Sequence, residues 1–365
     1  MRKISRLLLA ALIAAAGMLV ATAGPAYATL PGFVLSSTTA SLPPTLSALA
    51  TGKRITYVTT NINGGIITAT GLVLTPKTNK KNRTVAWGHG TTGLADNCAP
   101  STNQAVFWNE ARLAIAEMLT RGWTVAAPDY PGIGTAQNHP YLIGASVARS
   151  LIDNVRAARN LDAALSTQYV VDGHSQGGQG SLFASQLAPS YDGNLVLKGT
   201  AAIAPVNNTQ EFINYIPGNP AQGYLVMALY GVSVVEPSFK PNNVLAAPAE
   251  AQLGVLQSGC LPEILATYQN FAATDLVEGG VVPDAVVAKM ASYENPAQTA
   301  PSAPVLLVHG TEDEAVPYFT APILRDQIAA YGVPVTLQTI DGAGHDQAVS
   351  QSVTLVADWI AARFT

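Results

Sequence analysis

Short apolar runs typical of buried strands alternate along this chain with longer segments whose apolar residues recur at helical spacing. The predicted strands are residues 54–60, 66–74, 84–87, 123–127, 169–171, 197–203, 304–309 and 333–340. The predicted helices are residues 104–121, 145–165, 178–187, 318–331 and 347–364. Such alternation favours a largely parallel sheet covered by helices on both faces, so the pattern predicts an α/β fold.

The alternation stops between residues 206 and 300. This stretch is rich in Pro, Asn, Gly and Ala, shows no clear strand pattern, and carries no charge from residue 212 to residue 235. Its density of apolar residues argues against the alternative of a long disordered loop. We interpret residues 206–300 as an inserted, mainly helical cap on a core formed by residues 29–205 and 301–365.

Residues 1–28 have the features of a secretory signal peptide. Three basic residues near the start precede an uncharged apolar run at 7–20, and Ala-Tyr-Ala at 26–28 is a small-residue cleavage signal. A membrane anchor is the alternative, but the apolar run is short and a clean cleavage site follows it. We expect the mature chain to begin at Thr29 and to be released outside the cell.

Composition narrows the possible partners of the mature chain. Without the signal peptide, 16 Lys and Arg stand against 23 Asp and Glu, so there is no electrostatic reason to bind nucleic acid or an anionic membrane surface. With 12% charged and 48% hydrophobic residues, the chain resembles a compact globular enzyme and not a disordered protein. We expect a monomer.

Two cysteines, Cys98 and Cys260, would lie in an oxidising compartment, where a disulfide is the simplest expectation and two buried free thiols are the alternative. The histidines show no metal-site spacing with each other or with the cysteines, so we expect no metal and no cofactor.

The clearest chemical motif is Gly-His-Ser-Gln-Gly at 173–177, which lies between a predicted strand and a predicted helix. A strand, a G-x-S-x-G turn and a helix form a nucleophile elbow. The turn is too sharp for a Cβ at the glycine positions, and it holds the serine in a strained backbone conformation. Ser175 is therefore the candidate nucleophile.

A serine hydroxyl needs a histidine to accept its proton, and the histidine needs a carboxylate to orient its ring. In this fold the three residues occur in the order Ser, Asp or Glu, His. His345 follows a predicted strand within Gly-Ala-Gly-His and is the candidate base. The alternative, His174, adjoins the serine in sequence, where hydrogen-bond geometry to the hydroxyl is poor.

Asp313 is the candidate acid, because it follows a predicted strand and precedes a helix whose start is set by Pro317. The neighbouring Glu312 and Glu314 are interpreted as solvated loop charges. Asp341 also ends a strand, but it is too close to His345 in sequence to face its ring easily.

An oxyanion needs backbone donors. One is the N–H of Gln176 at the start of the elbow helix. We expect the other in the Gly-rich loop after the strand at 84–87, at Thr92 or, as second choice, at Thr91; an ordinary Gly-rich turn is the alternative. Asp129 and His139 precede the serine, which is the wrong order for this fold, so we interpret them as structural.

The chain resembles the secretory lipases of the α/β-hydrolase superfamily, and the fungal lipase A type in particular. The matching stretches are His-Gly-Thr-Thr-Gly at 89–93, Asn-Cys-Ala-Pro-Ser at 97–101, Asp-Tyr-Pro-Gly-Ile-Gly at 129–134, His-Pro-Tyr-Leu at 139–142, the elbow, and the loops of Asp313 and His345. The resemblance implies a serine hydrolase acting on carboxylic esters, with a helical cap between serine and aspartate. It also implies that Cys98 pairs with a cysteine of the cap, which is Cys260.

One departure from the fungal type concerns the second oxyanion donor, which is an acidic residue there and Thr92 here, so acid-tolerant activity is not carried over. The expected function is a secreted lipase or esterase acting on a small-molecule or lipid ester, with transient contact to a lipid interface through the cap. Acyl transfer, amide or peptide cleavage with the same three residues, and a non-catalytic binding protein are the alternatives.

Overall fold

The structure is a computed structural model that describes residues 30–365, so the predicted signal peptide lies outside the described residues. Its strands are β1 (Val34–Thr39), β2 (Ala50–Thr60), β3 (Ile66–Pro76), β4 (Thr84–Gly88), β5 (Thr124–Pro128), β6 (Gln168–His174), β7 (Val196–Ile203), β8 (Val305–Gly310) and β9 (Val335–Ile340). Its helices are α1 (Pro44–Leu49), α2 (Asn109–Thr120), α3 (Gly144–Leu161), α4 (Gln176–Tyr191), α5 (Gly223–Val235), α6 (Ala247–Glu250), α7 (Val255–Ser258), α8 (Leu261–Tyr268), α9 (Ala273–Leu276), α10 (Asp284–Glu294), α11 (Thr320–Ala329), α12 (His345–Ser350) and α13 (Val353–Arg363).

The strands form one sheet in the order β1-β2-β3-β5-β4-β6-β7-β8-β9. Strands β1, β2 and β3 pair antiparallel, and β3 also meets β5 antiparallel. From β5 to β9 every neighbouring pair is parallel. The predicted α/β fold with a mostly parallel sheet is therefore confirmed. The edge strand β1 was not predicted, because most of its residues are exposed and polar and give no alternating pattern.

Both faces of the sheet carry helices, which explains why the central strands are apolar without interruption. Tyr169 and Val171 of β6 belong to the core formed with α3 and α4 on one face. Val170, whose side chain points to the opposite face, belongs to the core formed with α2 and α13. Parallel strands sandwiched in this way end at one common edge of the sheet, where the loops after β4, β6, β8 and β9 come together.

Residues 206–300, called the insertion below, connect β7 to β8. They contain helices α5 to α10 and short 3-10 turns, and the described β pairing within them is an isolated bridge between Leu245 and Val277. Their apolar side chains form a separate hydrophobic cluster that also includes Tyr141, Leu142 and Val316 from outside the insertion. The helical content expected for this segment is therefore present. Its assignment as a separate cap stays a prediction.

Several predicted helix boundaries differ from the structure: α3 ends four residues before the predicted 165, and α4 extends beyond the predicted 178–187 at both ends. The last helix was predicted as residues 347–364, but α12 begins two residues earlier at His345, and a break separates it from α13. At the break, Ser352 Oγ donates to the carbonyl oxygen of Ala348 at 2.6 Å, so a side chain competes with the helical ladder. The helix predicted from residue 104 begins at Asn109 after a separate 3-10 turn (Gln104–Val106).

The cysteines form a disulfide between Cys98 and Cys260, as the resemblance implied. The bond joins the loop after β4 to the residue before α8, and next to it the N–H of Leu261 donates to the carbonyl of Thr92 at 2.8 Å. Because the two cysteines are 162 residues apart, the chain-entropy model predicts a stabilisation of about 5 kcal/mol. The insertion is therefore tied covalently to the core beside the predicted oxyanion loop.

Candidate active site

Ser175 lies at the sharp turn between β6 and α4, as the elbow motif predicts. Its backbone dihedrals are φ 55° and ψ −117°, a region that a residue with a Cβ adopts only under strain. The N–H of Ser175 donates to the carbonyl of Ile203 at the end of β7 at 2.9 Å, which holds the turn against the sheet. Ser175 is 8% exposed, so the hydroxyl sits at the floor of a cleft.

The elbow glycines are needed for space, because Gly173 and Gly177 have ordinary negative φ values. A Cβ on Gly88 at the end of β4 would lie 2.8 Å from Cα of Gly177. A Cβ on Gly177 would overlap the carbonyl of Gly88, and one on Gly173 would overlap the carbonyl of Gly177. The glycines therefore let α4 approach strands β4 and β6 closely enough to present Ser175 above the sheet edge.

Asp313 and His345, on the loops after β8 and β9, are in direct contact. Oδ2 of Asp313 lies 2.7 Å from Nδ1 of His345. The other carboxylate oxygen accepts the N–H groups of Ala315 at 2.9 Å and Val316 at 2.8 Å. Nε2 of His309 lies 3.2 Å from Oδ2 and so supports the carboxylate from the strand side.

The two side chains perturb each other's pKa. Burial alone would raise the pKa of Asp313, but the hydrogen bonds and charges of His309 and His345 outweigh it and lower the pKa well below its usual range. Burial alone would lower the pKa of His345, but the hydrogen bond and charge of Asp313 outweigh it and raise the pKa. The carboxylate is therefore ionised at neutral pH and stabilises a protonated His345.

The alternatives to Asp313 make other contacts. Glu312 is exposed, and only its backbone is engaged, through an N–H bond to the carbonyl of Ala343. Oδ1 of Asp341 accepts a long hydrogen bond of 3.4 Å from Thr311. Glu314 accepts the backbone N–H of His345 at 3.3 Å and so positions the residue without contacting its ring. Among the candidate acids, Asp313 is the one bonded to the imidazole.

Ser175 and His345 line the same cavity. Within residues 30–365 no hydrogen bond joins the Ser175 hydroxyl to His345, whose ring is bonded to Asp313. Catalytic hydrogen bonds are often long in unliganded enzymes and shorten in the substrate complex. The arrangement thus brings the three predicted residues to one site and leaves the contact between serine and histidine to be tested.

His174 packs beside His345, with ring centroids 4.5 Å apart. Burial lowers the pKa of His174 well below its usual value, and within the described residues its ring nitrogens have no hydrogen-bond partner. His174, His345 and Asp346 place potential metal ligand atoms within 4.8 Å of one another. Sequence spacing did not indicate this cluster, because α12 and β6 meet only in the folded chain.

In the predicted oxyanion loop, Thr91 lines the cavity with Ser175. Its carbonyl accepts the indole N–H of Trp108 at 3.0 Å, and its hydroxyl lies 2.7 Å from the hydroxyl of Tyr141. Thr92, the preferred candidate, is fully buried, and its carbonyl is bonded to Leu261. The contacts with Trp108, Tyr141 and Leu261 therefore fix the position of the loop.

Among the described residues, neither Asp129 nor His139 has a hydrogen bond to Ser175. The Asp129 carboxylate accepts the hydroxyls of Thr70 at 2.6 Å and Ser101 at 2.5 Å. Nδ1 of His139 lies 2.7 Å from the carbonyl of Pro131, and Nε2 lies 2.9 Å from the side-chain nitrogen of Gln176. Burial lowers the pKa of His139 to about 4, so it is neutral at pH 7. Asp129 and His139 therefore stabilise the loops beneath the site, as the structural interpretation expects.

Two cavities meet at Ser175 and also share Ala221, Tyr224, Glu314 and Ala315. The first, called the apolar arm, has a volume of about 350 Å³ and is walled mostly by apolar side chains of the insertion, among them Phe212, Ile213, Leu225, Ala228 and Met290. The second, called the histidine arm, has a volume of about 430 Å³ and is lined by Gly90, Thr91, Glu110, His174, His345 and Asp346, with Leu261 and Leu265 of α8.

Two buried acids at the cleft were missed by sequence reasoning. Glu110 lines the histidine arm and Glu294 the apolar arm. Burial, assisted for Glu110 by the charge of Asp346, raises the pKa of each carboxyl to about 7. Each acid lies on an otherwise ordinary helix, Glu110 near the start of α2 and Glu294 at the end of α10, so no local motif indicated it.

Among residues 30–365, no helix is both long and apolar enough to cross a lipid bilayer.

Comparison with known proteins identifies secreted lipases as relatives. The family model described as secretory lipase matches residues 98–365. A secreted triacylglycerol lipase from Malassezia globosa is 26% identical over 360 residues, which cover 92% of this chain and 76% of the relative. For other secreted lipases of Malassezia, the match covers as little as 50% of the relative's length.

Solved structures share the fold. Lipase A of Candida antarctica in its closed state superposes with a TM-score of 0.74 at 21% identity, over 87% of this chain and 78% of that one. A rice cell wall degrading esterase from Xanthomonas oryzae superposes with a TM-score of 0.76 at 21% identity, over 92% and 99%. The sheet, the elbow and the family match lead to one conclusion: the chain belongs to the secretory lipase family, and it is a carboxylic ester hydrolase with the α/β-hydrolase fold.

Proposed function

We propose that the chain hydrolyses carboxylic esters by a double displacement in which Ser175 is the nucleophile, His345 the general base and Asp313 the residue that orients and stabilises the histidine. The observation that carries the proposal is the 2.7 Å contact between Asp313 and Nδ1 of His345, beside a cavity that the strained Ser175 also lines. With Nδ1 held by the carboxylate, Nε2 of His345 is free to accept the serine proton.

The steps follow from these positions. The Ser175 oxygen attacks the ester carbonyl while its proton passes to Nε2 of His345, and a tetrahedral oxyanion forms. His345 then donates that proton to the departing alcohol, which leaves an acyl group on Ser175. A water molecule, deprotonated by His345, attacks the acyl carbon and releases the carboxylic acid, and the proton returns to Ser175.

For the oxyanion we propose two backbone donors. The first is the N–H of Gln176, which opens α4, where the helix dipole favours negative charge. The second is the N–H of Thr92 or Thr91; the position of Thr91 on the cavity wall favours Thr91. Removing one oxyanion donor, a side-chain amide, costs about 2.7–4 kcal/mol of transition-state stabilisation in the serine protease subtilisin.

The two arms of the cleft hold different parts of the substrate in this proposal. His345 must reach the oxygen of the departing alcohol, and His345 lines the histidine arm but not the apolar arm. The alcohol therefore leaves through the histidine arm. The acyl group occupies the apolar arm, whose walls come mainly from the insertion, so the insertion acts as a cap that sets acyl preference.

The substrate is a lipid or other apolar ester, a proposal supported by the apolar arm and by the naming of the Malassezia relative as a triacylglycerol lipase. The protein acts outside the cell after cleavage behind Ala28, in agreement with the disulfide and with the secretory family. Acyl transfer to another alcohol would use the same acyl-enzyme, with the acceptor in place of water.

The direct test is Ser175→Ala, assayed on a short p-nitrophenyl ester. Hydrolysis should fall to background, and a fluorophosphonate that labels the wild type should no longer modify the protein. Ser190→Ala is the matched control, because Ser190 lies exposed near the end of the same helix and bonds only a local carbonyl. Near-normal turnover in Ser175→Ala would place the nucleophile elsewhere.

A further inference from the structure

A single buried glutamate, Glu294, is among the residues that line the apolar arm. Glu294 ends α10, is 1% exposed and lines this cavity together with mostly apolar side chains. Its Oε1 atom is buried and has no hydrogen-bond partner among the described residues. A buried polar atom without a partner is costly, so such an atom at a ligand cavity indicates a partner supplied by the ligand.

The position of Glu294 is coupled to the nucleophile. The side-chain nitrogen of Gln179 donates to the backbone carbonyl of Glu294 at 2.7 Å and to that of Leu142 at 3.1 Å. Gln179 lies one turn after Ser175 in α4, and its N–H donates to the carbonyl of Ser175 at 2.9 Å. The end of α10 is thereby held in a fixed position relative to the elbow. A residue that selects among acyl groups must be positioned in this way relative to the nucleophile.

The chemistry of the matching group follows from the surroundings. Burial raises the pKa of Glu294 to about 7, and the hydroxyl of Thr209 lowers it by less, so both protonation states are populated near neutral pH. A hydroxyl group matches both states, since it donates to a carboxylate and accepts from a carboxylic acid. A cationic group would lose its hydration among the mostly apolar walls, and the other lining carboxylate, Glu314, already accepts the backbone N–H of His345. An unsubstituted alkyl chain would leave Oε1 without a partner.

We propose that Glu294 is a specificity-determining residue that hydrogen-bonds a hydroxyl group on the acyl part of the substrate, so that esters of hydroxylated carboxylic acids are preferred over their unsubstituted counterparts. This inference rests on the proposed function, because it requires the acyl group to occupy the apolar arm. It goes beyond it by naming the substrate class and the residue that selects it.

The test compares matched esters. The wild type, Glu294→Leu and Glu294→Gln are assayed with 4-methylumbelliferyl decanoate and with a series of the same ester carrying one hydroxyl at successive carbons, except at the two positions where the hydroxyl would close a γ- or δ-lactone and release the phenol without enzyme. In the wild type, kcat/KM for the best hydroxydecanoate should exceed that for decanoate by about tenfold or more. Glu294→Leu should bring this ratio to about one or below, while Glu294→Gln, which keeps hydrogen-bonding atoms, should retain most of it.

Met290→Leu is the matched control, because Met290 lies on the same helix and wall but has no polar atom to lose. It should alter acyl-length preference and leave the hydroxyl ratio intact. The ratio for one enzyme on two esters is insensitive to how much of a variant is folded, so a stability defect in Glu294→Leu does not obscure the result.

The inference is overturned by a wild-type ratio near one at every hydroxyl position, or by a ratio that Glu294→Leu leaves unchanged. Failure of the proposed function is a different result, since the wild type would then hydrolyse none of these esters or Ser175→Ala would hydrolyse them all.

Discussion

The histidine arm and the apolar arm meet at Ser175 but are built from different parts of the chain. In the histidine arm Ser175 and His345 follow the ends of strands and lie in short motifs with glycines, while the buried Glu110 lies on an ordinary helix. In the apolar arm most of the walls come from the insertion, and its one buried acid, Glu294, lies at the end of an ordinary helix. In the proposed function, local motifs therefore supply the nucleophile and the base, while tertiary packing of the insertion shapes the pocket for the acyl group.

The largest effect should come from breaking the chemistry of the histidine arm. Asp313→Asn is expected to lower kcat/KM about 10⁴-fold, because the amide cannot stabilise the imidazolium and favours the wrong tautomer. Glu312→Gln, next to it in sequence but exposed, should change kcat/KM little. Equal losses in both variants, measured on one p-nitrophenyl ester with folding checked by circular dichroism, would remove Asp313 from its assigned role.

A second, smaller effect should come from cutting the link between core and insertion. Replacing both Cys98 and Cys260 by alanine is expected to lower the free energy of unfolding by about 2–5 kcal/mol, because the open chain gains conformational entropy when it unfolds. Denaturant unfolding measures the change, with the reduced wild type as the matching reference. A variant as stable as the oxidised wild type would show that the insertion is held by its noncovalent contacts alone.

Substitutions that fill one arm at a time test which arm holds the acyl group and which holds the alcohol. Ala228 on α5 is buried and lines the apolar arm, so Ala228→Phe should shift preference from long to short acyl chains by about tenfold and spare acetate esters. Leu265→Phe in the histidine arm should instead change preference among alcohols. If Ala228→Phe discriminated among alcohols and not among acyl chains, the two arms would have to be exchanged.

The smallest predicted effect is on the pH profile. Catalysis needs neutral His345, so kcat/KM should rise with pH through the pKa of His345, which lies above the ordinary histidine value. The negative charge of Asp346 contributes to this raised pKa, so Asp346→Asn should move the rising limb to lower pH. Glu294→Gln in the apolar arm should leave the limb in place.

Glu110 must be included in that measurement, because it lines the same arm and burial raises its pKa to about 7. Repeating the profiles in Glu110→Gln separates its titration from that of His345. A rising limb that stays unchanged in Asp346→Asn on either background would mean that another group controls the profile.

Sequence reasoning succeeded where the physics is local. The apolar runs predicted the parallel strands, and the G-x-S-x-G turn predicted the strained conformation of Ser175, since both depend on a few neighbouring residues. The break inside the last helix was missed because the apolar pattern continues through it; the structure shows Ser352 Oγ bonded to the carbonyl of Ala348 there. Edge strand β1 was missed because an exposed polar strand has no alternating pattern.

At the site, chain order by itself pointed to Ser175, Asp313 and His345, and the Gly-rich loops indicated where the backbone approaches the substrate. Only the tertiary structure decided that Asp313 bonds the imidazole while Glu314 bonds its backbone, since both acids share one loop and differ only in direction. Only the packing of the insertion decided which side chains wall the apolar arm and that Glu294 is buried there. The pKa of Glu294 is raised and its Oε1 is unpaired because residues distant in sequence exclude water from the carboxyl group. The local sequence pattern does not indicate which residues those are.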